Sequence, residues 1–81
     1  MKFIIESMHE YTRHNQPCNR AYPIFITDVD SDGNKVRYGT WEIEIDSLDD
    51  LLMLQKDLNC QISIINHKTA NRPCILIHEK Y

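Results

Sequence analysis

The chain has 81 residues and a formal net charge of −3, with only two glycines and three prolines. This length allows one domain with a modest hydrophobic core, and the low glycine and proline content argues against disorder. No apolar stretch approaches the roughly 20 residues of a membrane-spanning helix, and the early Glu6 makes residues 1–6 unlike a signal peptide.

The cysteine content bears on the cellular compartment. The three cysteines, Cys18, Cys60 and Cys74, are odd in number and widely spaced. Small secreted domains usually carry an even and denser set that forms disulfides. We therefore expect free thiols and a cytoplasmic location.

Acidic residues are concentrated in the middle of the chain. Residues 28–57 contain nine acidic and three basic side chains, whereas the rest of the chain contains three acidic and six basic ones. This asymmetry predicts a negative region on the surface of the folded domain.

The first elements are two predicted strands. Phe3 and Ile5 begin an alternating pattern that we extend through Tyr11. A polar loop at residues 13–20 leads to a second strand at residues 22–27, and we expect the two strands to form a long hairpin.

A third strand follows a strong turn signal at residues 32–33, an aspartate followed by a glycine. Val36 and Tyr38 have the opposite parity to Trp41, so the three side chains share a face only if the strand contains an extra residue. We therefore predict a β-bulge at residues 39–40.

The next element is a helix over residues 48–58. Ser47 is the predicted N-cap, Asn59 is the predicted left-handed C-cap, and Met53 falls on the outer face among aspartates. Five leucines form an arc that is expected to face the sheet: Leu48, Leu51, Leu52, Leu54 and Leu58.

Two more strands, at residues 61–65 and 74–79, are joined by a hairpin loop at residues 66–73. The sequence thus predicts a single α+β domain over residues 1–81, with a five-stranded, mostly antiparallel sheet and one helix packed on one face. The element order is β-β-β-α-β-β. One helix cannot cover both faces of such a sheet, so the opposite face or a strand edge is left for solvent or a partner. The alternative is a strongly curled sheet whose loops cover the second face.

One loop resembles the first half of a calcium-binding loop. Asp28, Asp30 and Asp32 precede Gly33 in the order D-x-D-x-D-G, and alternating carboxylates on a turning chain can converge on a hard cation. Position twelve of an EF-hand loop is a glutamate, however, and here it is Gly39. The alternative is a hairpin turn that is rich in aspartate because aspartate and glycine favour turns.

Other chemistry has no support in the sequence. The histidines and cysteines lack the close spacing of zinc ligands, and there is no motif for a nucleophile, a phosphate-binding loop or a dinucleotide. The basic residues are dispersed, which disfavours direct contact with nucleic acid. We expect no catalysis, no cofactor, no membrane contact and no direct nucleic-acid binding.

The acidic surface is the remaining candidate site. We predict a protein-binding module, a small inhibitor or adaptor that covers a basic, nucleic-acid-binding surface of a partner, by analogy with phage-encoded inhibitors. Two alternatives are weak calcium binding by the loop at residues 28–33, and a homo-oligomeric structural subunit that pairs an exposed strand edge or sheet face. The predicted partner-binding residues are Asp30, Asp32, Glu42, Glu44, Asp46, Asp49 and Met53.

Overall fold

The computed structural model describes residues 1–8 and 15–78. Its elements are β1 (Lys2–Ser7), β2 (Tyr22–Val29), β3 (Lys35–Glu44), α1 (Leu48–Leu58), β4 (Ile62–Asn66) and β5 (Pro73–Ile77). The five strands form one sheet in the order β2-β3-β1-β5-β4. The predicted α+β fold, with a mostly antiparallel sheet, is confirmed.

The central strand of the sheet is β1, which separates two antiparallel pairs. It lies antiparallel to β3 and parallel to β5. The prediction that the first two strands form a hairpin is wrong, because β3 lies between β1 and β2. The predicted extensions of the first strand to Tyr11 and of the last strand to Glu79 fall outside the described residues.

Both predicted helix caps are confirmed. The Ser47 hydroxyl accepts a hydrogen bond of 3.2 Å from the Asp50 amide, and Asn59 has a left-handed φ of 52°. These contacts satisfy backbone groups that the first and last turns of a helix leave without partners. The Asp50 carboxylate also accepts a hydrogen bond of 3.1 Å from the Asp46 amide, which fixes the direction in which the chain enters the helix.

The predicted β-bulge is absent. Strands β2 and β3 pair residue for residue from Tyr22 opposite Glu42 to Val29 opposite Lys35. Because no residue is inserted, Tyr38 lies on the face opposite to that of Trp41. A bulge is not required to pair the Tyr38 side chain, because its hydroxyl donates a hydrogen bond to the Glu6 carboxylate on this opposite face of the sheet.

Helix α1 covers the first face of the sheet, and here lies the larger core. It contains Phe3, Ile5, Ile43, Ile45, Leu54, Ile75 and Ile77, with Leu51 and Leu58 packed against it. The prediction that all five leucines face the sheet is wrong for Leu48 and Leu52, which are 70% and 54% exposed. These two side chains lie one turn apart on one flank of the helix, outside its contact with the core.

The second face of the sheet is covered by the loop between β4 and β5. Ile4, Ile26 and Cys74 are buried there, and Ala70 of the loop packs against them. The alternative in which loops cover the second face is therefore the one that the structure shows.

Candidate functional site

Glu42 lies inside the molecule rather than on its surface, with only 5% of the residue exposed. The Tyr22 hydroxyl donates a hydrogen bond of 2.6 Å to one carboxylate oxygen, and the Arg72 guanidinium group pairs with the other. The prediction that Glu42 belongs to a solvent-exposed acidic strand face is wrong. Its strand position points it to the second face, where the covering loop supplies a cation.

Glu44 and Asp46 stay at the surface beside a positive charge. The Met1 amino group lies 2.9 Å from a Glu44 carboxylate oxygen and 3.4 Å from an Asp46 oxygen. The hydrogen bond from this amino group lowers the pKa of the Glu44 carboxyl, and the same contact raises the pKa of the amino group. Glu44 is therefore a weaker attractor of basic partners than its exposure suggests.

The aspartates between β2 and β3 shape a hairpin turn. One Asp30 carboxylate oxygen accepts hydrogen bonds from the Asp32 amide at 3.0 Å and from the Asn34 amide at 2.9 Å. Gly33 has a φ of 83°, which only glycine adopts without strain. The Asp28 carboxylate instead accepts a bond from the Val29 amide. Nowhere in residues 1–8 and 15–78 do three potential metal-ligating side chains converge.

The predicted acidic region is divided into two parts. The hairpin tip with Asp30 and Asp32 precedes β3, whereas Asp46 and Asp49 follow it. The ten residues of β3 span roughly 33 Å at about 3.3 Å per residue. This separation is most of the 41 Å length of the molecule. A small footprint on a partner cannot include both parts.

One face of helix α1 combines exposed acids with an apolar side chain. Asp49, Met53 and Asp57 follow one another at intervals of four residues, so they form one row on the helix. All three are exposed, Met53 to 59%. None of the three forms an ion pair with another described residue. We call this row the acidic ridge.

A buried polar cluster on the second face has no counterpart in the sequence predictions. The Glu6 carboxylate accepts hydrogen bonds from the Tyr38 hydroxyl at 2.8 Å and from the Thr40 hydroxyl at 2.6 Å, and its other oxygen lies 3.2 Å from His67 Nε2. The amides of residues 69 and 70 both donate to His67 Nδ1. Nδ1 is therefore unprotonated, and the ring proton lies on Nε2, facing Glu6.

The geometry of His67 limits what the cluster can do chemically. Both ring nitrogens are engaged, Nδ1 by two backbone amides and Nε2 by Glu6. The cluster instead attaches the β4–β5 loop to the sheet. The available signal was parity: Glu6 and Ile4 share a face of β1, and an apolar neighbour on the same face indicates that the carboxylate is covered.

The thiols are free in the structure. Cys74 is buried beside Glu6, and burial, together with the negative charge of that carboxylate, raises its pKa to about 12. A thiol with such a pKa is not ionised at neutral pH and is a poor nucleophile.

Within the described part of the chain, every helix is too short or too polar to cross a membrane. Comparison with protein-family models, with curated proteins and with solved structures finds no match to this chain. The acidic ridge is therefore a candidate functional site on the basis of its geometry and charge alone.

Proposed function

We propose that this protein acts without catalysis, by binding a larger protein through the acidic ridge and covering a basic surface on it. The observation that carries the proposal is the exposed Met53 side chain between Asp49 and Asp57. Interfaces commonly consist of an apolar anchor within a polar rim. Burying a methionine contributes roughly 1.5–3 kcal/mol, whereas each exposed ion pair contributes only about 0.2–1 kcal/mol.

The two kinds of side chain have different tasks in this proposal. Exposed carboxylates raise the rate of encounter with a basic surface, and salt screens that attraction. Met53 supplies affinity once it is covered. The two carboxylates of the ridge compete for the same lysine and arginine side chains that bind phosphates, which is why a nucleic-acid-binding surface is the partner surface we propose.

The structure changes the set of residues in the proposed interface. The proposed interface keeps Asp49 and Met53 and adds Asp57, whereas Glu44 and Asp46 are already paired with the Met1 amino group. Glu42 is excluded because it is buried, and Asp30 and Asp32 lie too far away to share the footprint. The engagement of both His67 nitrogens supports a role without catalysis, and the three free thiols support a cytoplasmic location.

The experiment begins with a photo-crosslinking amino acid placed at Met53, and at Asn34 as the control, in living cells of the native host. We expect one dominant basic protein to be crosslinked from Met53 and not from Asn34. Equal crosslinking from the two positions contradicts the proposal, because Asn34 lies at the hairpin tip.

The affinity of the purified pair then tests the roles of the residues. Met53→Ala should weaken binding about tenfold, the equivalent of roughly 1.4 kcal/mol. Asp49→Lys with Asp57→Lys should slow association and reduce its dependence on salt. The matched control, Asp30→Lys with Asp32→Lys, makes the same change in charge at the hairpin tip. If the control weakens binding and the ridge variants do not, the ridge is not the interface.

A further inference from the structure

The outermost strand β4 presents an unpaired edge. At its two ends the His78 amide donates to the Gln61 carbonyl at 2.8 Å, and the His67 amide donates to the Arg72 carbonyl at 2.9 Å. Antiparallel ladders alternate, so the odd-numbered residues of β4 direct their backbone groups toward β5. The backbone groups of Ile62, Ile64 and Asn66 therefore point away from the sheet, where no described strand pairs with them.

The edge at β4 differs from the edge at β2. Strand β2 carries Pro23, which lacks an amide hydrogen, and Asp28, which places a negative charge beside the edge. Proline and charge are common protections of an edge against pairing with another chain. Strand β4 contains neither, since its residues are isoleucine, serine and asparagine.

Exposed apolar side chains adjoin the β4 edge. Ile64 is 55% exposed on the face of the sheet that α1 covers. The loop at residues 17–20 lines a surface cavity together with Leu54 and Asp57 of the helix. Leu48 and Leu52 follow one another on a different flank of the helix, and both are exposed. The three exposed side chains Leu48, Leu52 and Ile64 lie on the helix-covered side of the sheet, and we call them the apolar strip.

We propose that a second copy of this chain covers the strip, with the two β4 strands pairing antiparallel across a twofold axis at Ile64. In this register Ile64 lies opposite the same residue of the second copy, and Ile62 lies opposite its Asn66. Every outward backbone group of these three residues then has a partner, and the two sheets become one continuous sheet.

The absence of charge favours a second copy over an unrelated strand. A twofold axis at Ile64 places this side chain opposite its own counterpart, so a charged residue at the axis would face a like charge, which is destabilising. All five residues of β4 are uncharged. The apolar strip is also complementary to itself, because the axis brings the same leucine flank to the same strand edge.

The β4 edge alone is too small for a stable interface, so the helix flank with Leu48 and Leu52 must contribute to it. A five-residue strand is only about 17 Å long, and stable interfaces bury roughly 800 Å² per partner. The strand edge supplies the hydrogen bonds, and Leu48 and Leu52 supply further apolar area. The acidic ridge points elsewhere on the helix, so the dimer leaves the proposed partner-binding surface free.

The test is the mass of the full chain by sedimentation equilibrium over a range of protein concentrations. We expect a reversible monomer–dimer equilibrium. Ile64→Lys should weaken dimerisation more than tenfold, because two ammonium groups would meet at the axis. The control is Val29→Lys, on the β2 edge, where the native valine is 59% exposed and thus similar to Ile64. This variant should dimerise as the native chain does.

Ile64→Pro tests the hydrogen bonds separately. It removes an amide that points outward and none that binds β5, so the fold should persist, as circular dichroism will report, while dimerisation is lost. Leu52→Lys should weaken the dimer to a smaller extent.

A native chain that stays monomeric at every concentration overturns the proposal. So does a dimer that survives Ile64→Lys, or one that Met53→Lys abolishes. Because the dimer does not involve the acidic ridge, its failure would leave the proposed partner binding standing, and crosslinking at Met53 would be unchanged.

Discussion

The two faces of the sheet are stabilised by different means. The face under α1 is apolar, and its buried side chains need only to fill space. On the second face Glu6, Glu42 and His67 are buried or nearly buried. Glu6 contacts His67, and Glu42 forms an ion pair with Arg72. The comparison teaches that strand parity gives the face on which a carboxylate lies, and that an apolar residue on the same face, such as Ile4 beside Glu6, is needed to indicate that the face is covered.

The largest expected effect comes from removing a cation on the second face. Arg72→Ala leaves the buried Glu42 carboxylate without its ion-pair partner, which should cost roughly 3 kcal/mol of unfolding free energy. Chemical denaturation measures this. The double variant Glu42→Leu with Arg72→Leu should recover most of the loss, since a buried ion pair can often be replaced by apolar residues. If Arg72→Ala is neutral, the second face does not depend on its ion pair.

On the helix-covered face the expected loss comes from a cavity. Leu54→Ala should cost roughly 2–3 kcal/mol because Leu54 is buried at the centre of the helix–sheet contact. Leu52→Ala is the matched control in the same helix, and it should cost less than about 0.5 kcal/mol in the monomer. Both variants are to be measured at low protein concentration, where the proposed dimer is dissociated. Equal losses would contradict the described packing of the helix.

A smaller effect concerns alkaline pH. The Cys74 thiol has a pKa of about 12 in the folded chain against an ordinary value of 9.0. Below pH 9 the thiol is protonated in both states, so it contributes no pH dependence. Above pH 9 the unfolded chain loses the proton and the folded chain keeps it, so stability falls as pH rises.

The difference in unfolding free energy between pH 8 and pH 10 should be about 1 kcal/mol larger in the native chain than in Cys74→Ala. The absolute stability of Cys74→Ala will also be lower because of the cavity, so the difference between the two pH values is the quantity to compare. Parallel pH profiles for the two chains would show that Cys74 ionises equally in both states.

The smallest expected effect is at a carboxylate that belongs to neither face. Asp30 accepts two backbone hydrogen bonds within its own turn, and Asp30→Ala should cost about 1 kcal/mol. Millimolar calcium should leave the melting temperature of the native chain unchanged, with magnesium as the control for ionic strength. A rise specific to calcium would favour the calcium-binding alternative.

Local patterns in the sequence predicted the local structure well. Ser47, Asn59 and Gly33 each have the conformation that their residue type favours, and the helix and strands lie close to the predicted ranges. These features depend on neighbours within a few residues. The exposure of Met53 also followed from helical periodicity, which made it the firmest part of the predicted site.

Features that depend on distant residues were predicted less well. Glu42 meets Arg72, and Glu6 meets His67, across long stretches of chain, so neither partner is visible near the carboxylate in the sequence. The order of the strands also depends on distant residues. Strand β3 lies between β1 and β2, and no local pattern in the sequence indicates this. The two exposed leucines reflect a third limit, because periodicity gives the direction of a side chain but not the width of the sheet beneath it.

The parallel pairing of β1 with β5 has a consequence for how the chain is made. Ile4 lies opposite Cys74, so the central strand acquires its second neighbour only after residue 74 has been synthesised. Contacts so distant along the chain slow folding. On the ribosome, Ile4 and Ile5 therefore lack their final neighbours until residues 73–77 have been translated, and a chaperone that binds aliphatic segments would find its target there.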